Sequence, residues 1–84
     1  MNDFLKFVED KINKAIKVEK ILIIDNSSKH VKHKSYDAER YHLRLEIDSI
    51  YLKSLESIKA QRQIMNILSD ELKTKIHALE IKIK

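Results

Sequence analysis

The absence of three residue types constrains this chain more than any motif in it. Its 84 residues include no cysteine, no glycine and no proline. Without cysteine there are no disulfides, so the hydrophobic core of a small protein has to be stable by itself. Without glycine, the phosphate-binding loops that depend on that residue are excluded. A metal centre with thiolate ligands would have to obtain them from another molecule.

The overall composition is that of a folded soluble domain. Hydrophobic residues make up 43% of the chain and charged residues 36%, which is too apolar for a disordered tail. The chain contains no run of eighteen apolar residues, which a membrane-spanning helix would need. The N-terminal segment mixes acidic and basic residues and lacks the apolar stretch of a secretory signal. We therefore expect one domain over residues 1–84, no membrane segment and a cytoplasmic location.

Hydrophobic periodicity predicts the first half of the fold. Apolar residues at helical spacing indicate a helix over residues 3–17. The β-branched run at residues 21–24 predicts a short strand buried on both faces. Strict alternation over residues 41–48 predicts a strand with one face in the core and one face in water. The two strands are expected to form an antiparallel hairpin.

The second half of the sequence predicts a helical region followed by a strand. Residues 49–53 are interpreted as a connection that holds a short turn. Helical spacing continues over residues 54–75, where Ser69 can cap a second short helix, and residues 79–83 alternate as a final strand. The expected fold is α+β, in the order α-β-β-α(α)-β. It has helices on one face of a three-stranded mixed sheet, with a parallel return to the last strand.

Two regions of the chain are basic. Residues 26–44 contain five basic residues against two acidic ones, and residues 59–84 contain six against three. This distribution suits an acidic partner or nucleic acid, although a solvated lysine-rich surface is the more frequent explanation. The candidate contact residues are Lys29, Lys32, Lys34, Arg62, Lys82 and Lys84.

Four histidines are the main candidates for chemistry. His30 and His33 lie three residues apart in a polar loop, His42 is on the wet face of the second strand, and His77 is at the predicted helix–strand junction. Imidazoles bind iron, zinc and copper. The structural alternatives are a junction histidine at the rim of the core and a solvated pair in the loop. No nucleophile is marked by its context, so we do not expect an enzyme.

Three segments resemble the BolA family. Residues 76–79, Ile-His-Ala-Leu, are similar to its C-terminal hallmark. Residues 24–30, Ile-Asp-Asn-Ser-Ser-Lys-His, resemble its acidic-Glu-Ser-x-x-His stretch after the first strand, and residues 41–43, Tyr-His-Leu, occupy the place of its Ser/Thr-His-Phe. The similarity runs from residue 21 to residue 84.

The chain also departs from the family pattern. The loop lacks the usual glycine and proline, and the Arg-His-Arg at the head of the long helix is Ala60-Gln61-Arg62 here. Asn26 replaces the glutamate before the serine, and Leu43 replaces the phenylalanine after the histidine. The resemblance is therefore to a divergent and compact member.

The resemblance implies a fold and a partner. The fold is like the second class of KH domains, without the glycine-rich loop that binds nucleic acid. The partner is a monothiol glutaredoxin, which shares a [2Fe–2S] cluster by supplying the thiolates. This chain would supply His77 and His30, with His33 as the alternative loop ligand and His42 as an auxiliary group. Alone, the chain is expected to hold no cofactor and to be a monomer or a weak homodimer.

The absence of cysteine agrees with this hypothesis. The chain cannot hold an iron–sulfur cluster alone, but two imidazoles can replace two thiolates on one iron, as in Rieske centres. The imidazoles must be unprotonated, so sharing is expected to weaken as the pH falls through the ordinary histidine range near 6.5.

Two other functions stay open. Some BolA-like proteins are described as transcriptional regulators, so DNA is a possible partner. The missing glycine-rich loop, the lost Arg-His-Arg cluster and the scarcity of aromatic residues argue against it. The third hypothesis is a small interaction module that binds no metal.

Overall fold

The computed structural model describes residues 3–26 and 41–84, and the structural statements that follow concern those residues. No helix in these ranges is long and apolar enough to cross a bilayer. The order of elements confirms the α-β-β-α(α)-β prediction. The helices are α1 (Asp3–Ala15), α2 (Ile50–Lys53), α3 (Ser57–Ile67) and α4 (Ser69–Thr74), and the strands are β1 (Lys20–Asp25), β2 (Tyr41–Asp48) and β3 (Ile76–Ile83).

The three strands form one mixed sheet in the order β1-β2-β3. β1 runs antiparallel to β2, and β3 runs parallel to β2. A parallel neighbour requires a crossover connection, which α2, α3 and α4 provide. The predicted hairpin and parallel return are both confirmed.

The helices cover one face of the sheet. On β2, the alternate residues Leu43, Leu45 and Ile47 are 2%, 0% and 0% exposed and point into the core. The intervening residues of the same strand are half-buried and face the other way. The core is completed by buried residues of the other elements, namely Leu5, Val8, Ile12, Ile23, Leu52, Ala60, Ile64, Leu68 and Ile76.

The interpretation of the first strand as buried on both faces was wrong. Leu22 is 51% exposed, and Ile23 is the buried residue of β1. β1 is an edge strand, and its second face looks onto the side of the sheet that no described helix covers. A continuous apolar run is typical of a strand with helices on both faces, and that second layer is absent from the described residues.

The long predicted helix is divided into two. α3 ends at Ile67 and α4 begins at Ser69, with Leu68 fully buried between them. A second short helix was expected here, but Ser69 is not its cap, because Leu68 occupies that position and makes no side-chain capping bond. α4 ends at Thr74, within one residue of the predicted end, whereas β3 begins at Ile76, three residues before the predicted start of the strand.

A buried serine fixes the turn between β2 and α2. The hydroxyl of Ser49 accepts a hydrogen bond from Leu52 N at 3.1 Å and donates one to Lys17 O at 2.8 Å. The first bond caps the helix, and the second attaches its start to the segment after α1. The predicted short turn is therefore a one-turn helix held by a side chain that is 0% exposed.

Candidate metal centre

An irregular step in the sheet directs His77 toward solvent. Tyr41 pairs with Ile76, but the next residue, His42, pairs with Ala78, so His77 is an extra residue in β3. This is a β-bulge, a feature that changes the direction of side chains locally. The bulge allows both Ile76 and Leu79 to contact the core, whereas strict alternation would put them on opposite faces. His77 and Ala78 are both exposed as a result.

The bulge brings His77 beside His42. The ring centroids lie 4.9 Å apart, and the ring planes are inclined by 46°. His42 is half-buried and its Nδ1 atom is buried, whereas His77 is exposed. Coordination by His42 of a ligand from solvent would therefore use Nε2. Two imidazoles thus lie together at one end of the open face of the sheet.

The carboxylates of this face are engaged in ion pairs. Arg44 Nη1 lies 3.0 Å from Glu80 Oε2, Arg44 Nε lies 3.1 Å from Glu46 Oε2, and Lys84 Nζ lies 2.8 Å from Glu46 Oε1. The hydrogen bonds from Lys84 and then Arg44 hold the pKa of Glu46 below its ordinary value. The bond to Glu46 in turn raises the pKa of the Arg44 guanidinium. These acids are therefore poor additional ligands for a cation at the imidazoles.

No third ligand from the described part of the chain joins the two imidazoles in a metal-binding group. Within residues 3–26 and 41–84, no group of three or more His, Asp or Glu side chains is arranged to hold a metal ion. A metal bound by His42 or His77 would therefore complete its coordination with ligands from elsewhere. These are water, another molecule, or a residue outside the described ranges.

The segment that carries the loop histidines is joined to the same end of the sheet. Asn26 N donates a hydrogen bond to His42 O at 2.7 Å, and Tyr41 N donates one to Lys75 O at 2.7 Å. Residues 27–40 connect these two anchored positions. The predicted site residues His30, His33, Lys29, Lys32 and Lys34 belong to this segment and lie outside the described residues.

Aromatic stacking supports the start of β2. The rings of Phe4 and Tyr41 lie 4.5 Å apart with planes inclined by 18°, and Phe7 continues the stack at 6.4 Å from Phe4. This contact attaches the first turn of α1 to the residue that precedes His42. Phe7 is 49% exposed and lies off the apolar stripe of α1. The Phe4–Tyr41 contact had no signal in the sequence.

The three described basic candidates do not share one surface. Arg62 is exposed on α3, on the helical side of the sheet, whereas Lys82 is exposed on β3 and alternates with residues that pack into the core. Lys84 is paired with Glu46. Nucleic-acid binding through these residues stays a prediction, and their separation does not favour it.

One signal in the sequence indicates the bulge. The apolar residues 76, 79, 81 and 83 are separated by one step of three and then two steps of two. Regular strands have only steps of two, so the first step places an extra residue between Ile76 and Leu79. Periodicity analysis instead began the strand at Leu79, because Ile76 also continues the helical stripe of residues 54–75.

The comparisons with known proteins agree with one another. The family model for BolA-like proteins matches residues 12–84. UV-induced protein uvi31 of Schizosaccharomyces pombe is 31% identical over 74 residues, covering 83% of this chain and 72% of that protein. The structure is similar to the BolA domain of SufE1 from Arabidopsis thaliana, with 30% identity, a TM-score of 0.84 and coverage of 100% of this chain and 93% of that chain.

A second plant structure gives the same result. BolA1 from Arabidopsis thaliana is 26% identical, with a TM-score of 0.82 and coverage of 100% of this chain and 93% of that chain. The family model covers most of the described sheet and helices, including the bulge at His77. Sequence and fold therefore lead to one assignment: the chain belongs to the family of BolA-like proteins.

Proposed function

We propose that this BolA-like chain is a non-enzymatic partner of a monothiol glutaredoxin and shares a [2Fe–2S] cluster with it. The observation that carries the proposal is the exposed imidazole of His77, displaced by a β-bulge onto the open end of the sheet. Membership of the BolA-like family supports the choice of partner. The role is iron–sulfur cluster trafficking or iron and redox regulation.

The donor atoms of this chain fit one half of such a shared site. Imidazole nitrogen binds iron, and two histidines replace two cysteines on one iron of a Rieske centre. The chain contains no cysteine, so the remaining thiolates have to come from the partner. Neutral imidazole ligands raise the reduction potential relative to thiolates, so the shared cluster would be more easily reduced than an all-thiolate one.

The second imidazole is proposed to come from the segment between β1 and β2. His30 is four residues after Asn26, whose backbone N–H donates a hydrogen bond to His42 O, and four residues span at most about 14 Å; this short separation in sequence supports His30 as the candidate ligand. His33 is the alternative ligand in the same segment. His42 is the auxiliary group, since its ring packs against the His77 ring and limits the orientations available to it.

The basic residues of that segment are proposed to guide docking. Lys29, Lys32 and Lys34 flank the two loop histidines, and a cationic loop attracts an acidic surface and accelerates association. Lys82 extends the positive charge along β3, where it is exposed and makes no ion pair with another described residue. An acidic rim around the glutaredoxin cluster would complement this arrangement.

The proposal is tested by visible circular dichroism of a cluster-loaded monothiol glutaredoxin. Adding the wild-type chain should change the spectrum, because the ligands and the asymmetry of the iron environment change. His77→Ala should abolish the change, whereas Lys59→Ala, an exposed substitution on α3 on the helical side of the sheet, should preserve it. The same spectral change with His77→Ala would show that His77 is not a ligand of the shared cluster.

Calorimetry distinguishes cluster sharing from simple protein binding. If the cluster is shared through histidine, glutaredoxin loaded with the cluster should bind the chain more tightly than the apo form, and His77→Ala should remove that difference. Equal affinities for the two forms would instead establish an interaction module without a metal.

A further inference from the structure

We propose that the outer edge of β3 pairs with β3 of a second copy of this chain, antiparallel and with the two-fold axis at Ile81. The two three-stranded sheets would then become one continuous sheet across the dimer. This interface requires neither a glutaredoxin nor a histidine ligand, so it goes beyond the proposed function. The evidence is the backbone of β3, the burial of its apolar residues and the order of its charges.

β3 is an edge strand, and within the described part of the chain it pairs with β2 alone. Lys84 N donates a hydrogen bond to Ile47 O at 2.8 Å. In a parallel pairing, residues that bond to the neighbouring strand alternate with residues whose backbone groups point away from it. The N–H and C=O groups of Leu79, Ile81 and Ile83 therefore point to the outer edge. Such a row of groups is a template for a further strand.

The same three residues are incompletely covered by the helices. Leu79, Ile81 and Ile83 pack against the core, yet each of them is only half-buried. On the neighbouring strand, Leu45 and Ile47 are 0% exposed. The described helices therefore leave apolar surface uncovered along the outer edge of β3. A second strand at that edge would remove this surface from water, which favours association.

The charges of β3 select one register of the pairing. Residues that lie opposite each other in a two-fold antiparallel pair have to face the same side of the sheet, so the axis passes through a single residue. With the axis at Ile81, Glu80 of each chain lies opposite Lys82 of the other. An axis at Glu80 or at Lys82 would place identical charges opposite each other, and an axis at Ile83 would place Lys82 opposite Lys84. Like charges in these positions are destabilising, whereas opposite charges stabilise.

The backbone accepts the register that the charges select. With the axis at Ile81, this residue lies opposite its own copy, and Leu79 lies opposite Ile83 of the second chain. These are pairs of residues whose backbone groups point outward, so each pair can exchange two hydrogen bonds. Glu80 and Lys82 then form the non-hydrogen-bonded pairs, in which opposite side chains lie closest.

Both charged side chains can reach a second chain. The Glu80 side chain is 68% exposed although its Oε2 atom lies 3.0 Å from Arg44 Nη1, and a carboxylate accepts more than one hydrogen bond. Lys82 is exposed and makes no ion pair with another residue of the described ranges. Dimer formation would therefore add charge pairs without breaking an existing one.

A single pair of strands makes a small interface, so the dimer should be weak. Stable complexes commonly bury more than about 1,200 Å² in total, and smaller interfaces belong to weak or transient complexes. We expect a dissociation constant of roughly 0.1–1 mM. The chain would then be mostly monomeric at low micromolar concentration and substantially dimeric near 1 mM.

Sedimentation equilibrium from about 10 μM to 1 mM tests the charge pairing. Glu80→Lys and Lys82→Glu should each weaken self-association about tenfold or more, because each opposes like charges at two symmetric positions. An equimolar mixture of the two variants should dimerise again, since lysines at both positions of one chain then face glutamates of the other. Circular dichroism verifies that each variant is folded.

The control for net charge is Lys59→Glu, an exposed substitution on α3. It changes the total charge as much as Lys82→Glu does and should leave the dissociation constant within about twofold of the wild type. Equal weakening by the two substitutions would attribute the effect to overall charge and overturn the strand pairing. A chain that stays monomeric near 1 mM would overturn it as well, and would show that the charges keep the edge unpaired.

Cysteine capture tests the register itself, because the chain has no cysteine of its own. Glu80→Cys mixed with Lys82→Cys in a glutathione redox buffer should yield a disulfide-linked dimer, since opposite Cα atoms about 4.5 Å apart lie within disulfide range. Each variant alone should crosslink far less, because its two thiols are out of register. Equal crosslinking in all three samples would overturn the axis at Ile81. No glutaredoxin is present, so a negative result leaves cluster sharing to its own test.

Discussion

Lys11 Nζ donates a hydrogen bond to Glu71 Oε1 at 2.7 Å, which joins α1 to α4. The backbone of Glu71 accepts a hydrogen bond from Lys75 N at 2.7 Å, and Lys75 O accepts one from Tyr41 N. This series of contacts extends from the first helix to the residue before His42. The ion pair therefore helps to define the end of α4, directly before the bulge that carries His77.

Loss of the Lys11 charge should destabilise the protein. The Glu71 side chain is 11% exposed, so Lys11→Met would leave a largely buried carboxylate without its cation and cost about 1–2 kcal/mol in the free energy of unfolding. Urea denaturation measures the loss. Lys14→Met, on an exposed position of the same helix, is the control and should change stability by less than about 0.5 kcal/mol. Equal effects of the two substitutions would show that the pair contributes nothing specific.

The two faces of the sheet should respond differently to truncation. Leu45, on the central strand, is 0% exposed, and Leu45→Ala should cost about 3 kcal/mol because it removes buried methyl groups and leaves a cavity. Leu22, on the open face of the edge strand, is 51% exposed, and Leu22→Ala should cost less than about 1 kcal/mol. Chemical denaturation of both variants measures the difference. Comparable losses would mean that the open face is covered in solution.

Glu46 should make the stability of the sheet depend on pH under acidic conditions. Its hydrogen bonds to Lys84 and Arg44 lower its pKa in the folded state from the ordinary 4.5. The stabilisation is therefore fully present above pH 4.5 and is lost as the pH falls below that value through the folded-state pKa. At neutral pH, the melting temperature of the wild type should exceed that of Glu46→Gln. The two melting temperatures should converge in acid.

The control for this pH effect is a carboxylate outside the network. Glu9 lies on α1 and makes no ion pair with another described residue, so Glu9→Gln should leave the pH profile of the wild type unchanged between neutral pH and 4.5. A Glu46→Gln difference that persists undiminished in acid would attribute the effect to packing rather than to charge.

Much of the fold follows from local patterns. The alternation over residues 41–48 predicts β2, including the half-exposed position of His42, because a strand has one residue on each face in turn. The helical stripe predicts α1 to within two residues of its end. The apolar run of β1 predicts a strand, but not that its second face is open, since that depends on whether another layer packs there.

Local sequence patterns predict less of the candidate site than of the fold. Its residue types were identifiable, because histidine is the side chain that suits iron, zinc and copper in a chain without cysteine. The contact between His42 and His77 could not be identified from the sequence, since it depends on the register of β3 against β2. The ion pairs of Arg44 with Glu46 and Glu80 depend on the same register.

By itself, the sequence determined the order of helices and strands, the resemblance to the BolA family and the absence of any cysteine thiolate. The first follows from local spacing, the second from short motifs and the third from composition. Only the tertiary structure decided which face of the sheet is open and which two imidazoles meet. A parallel pairing between strands distant in the sequence sets that contact, because the spacing of apolar residues indicates an extra residue near position 77 but not which residue of β2 lies beside it.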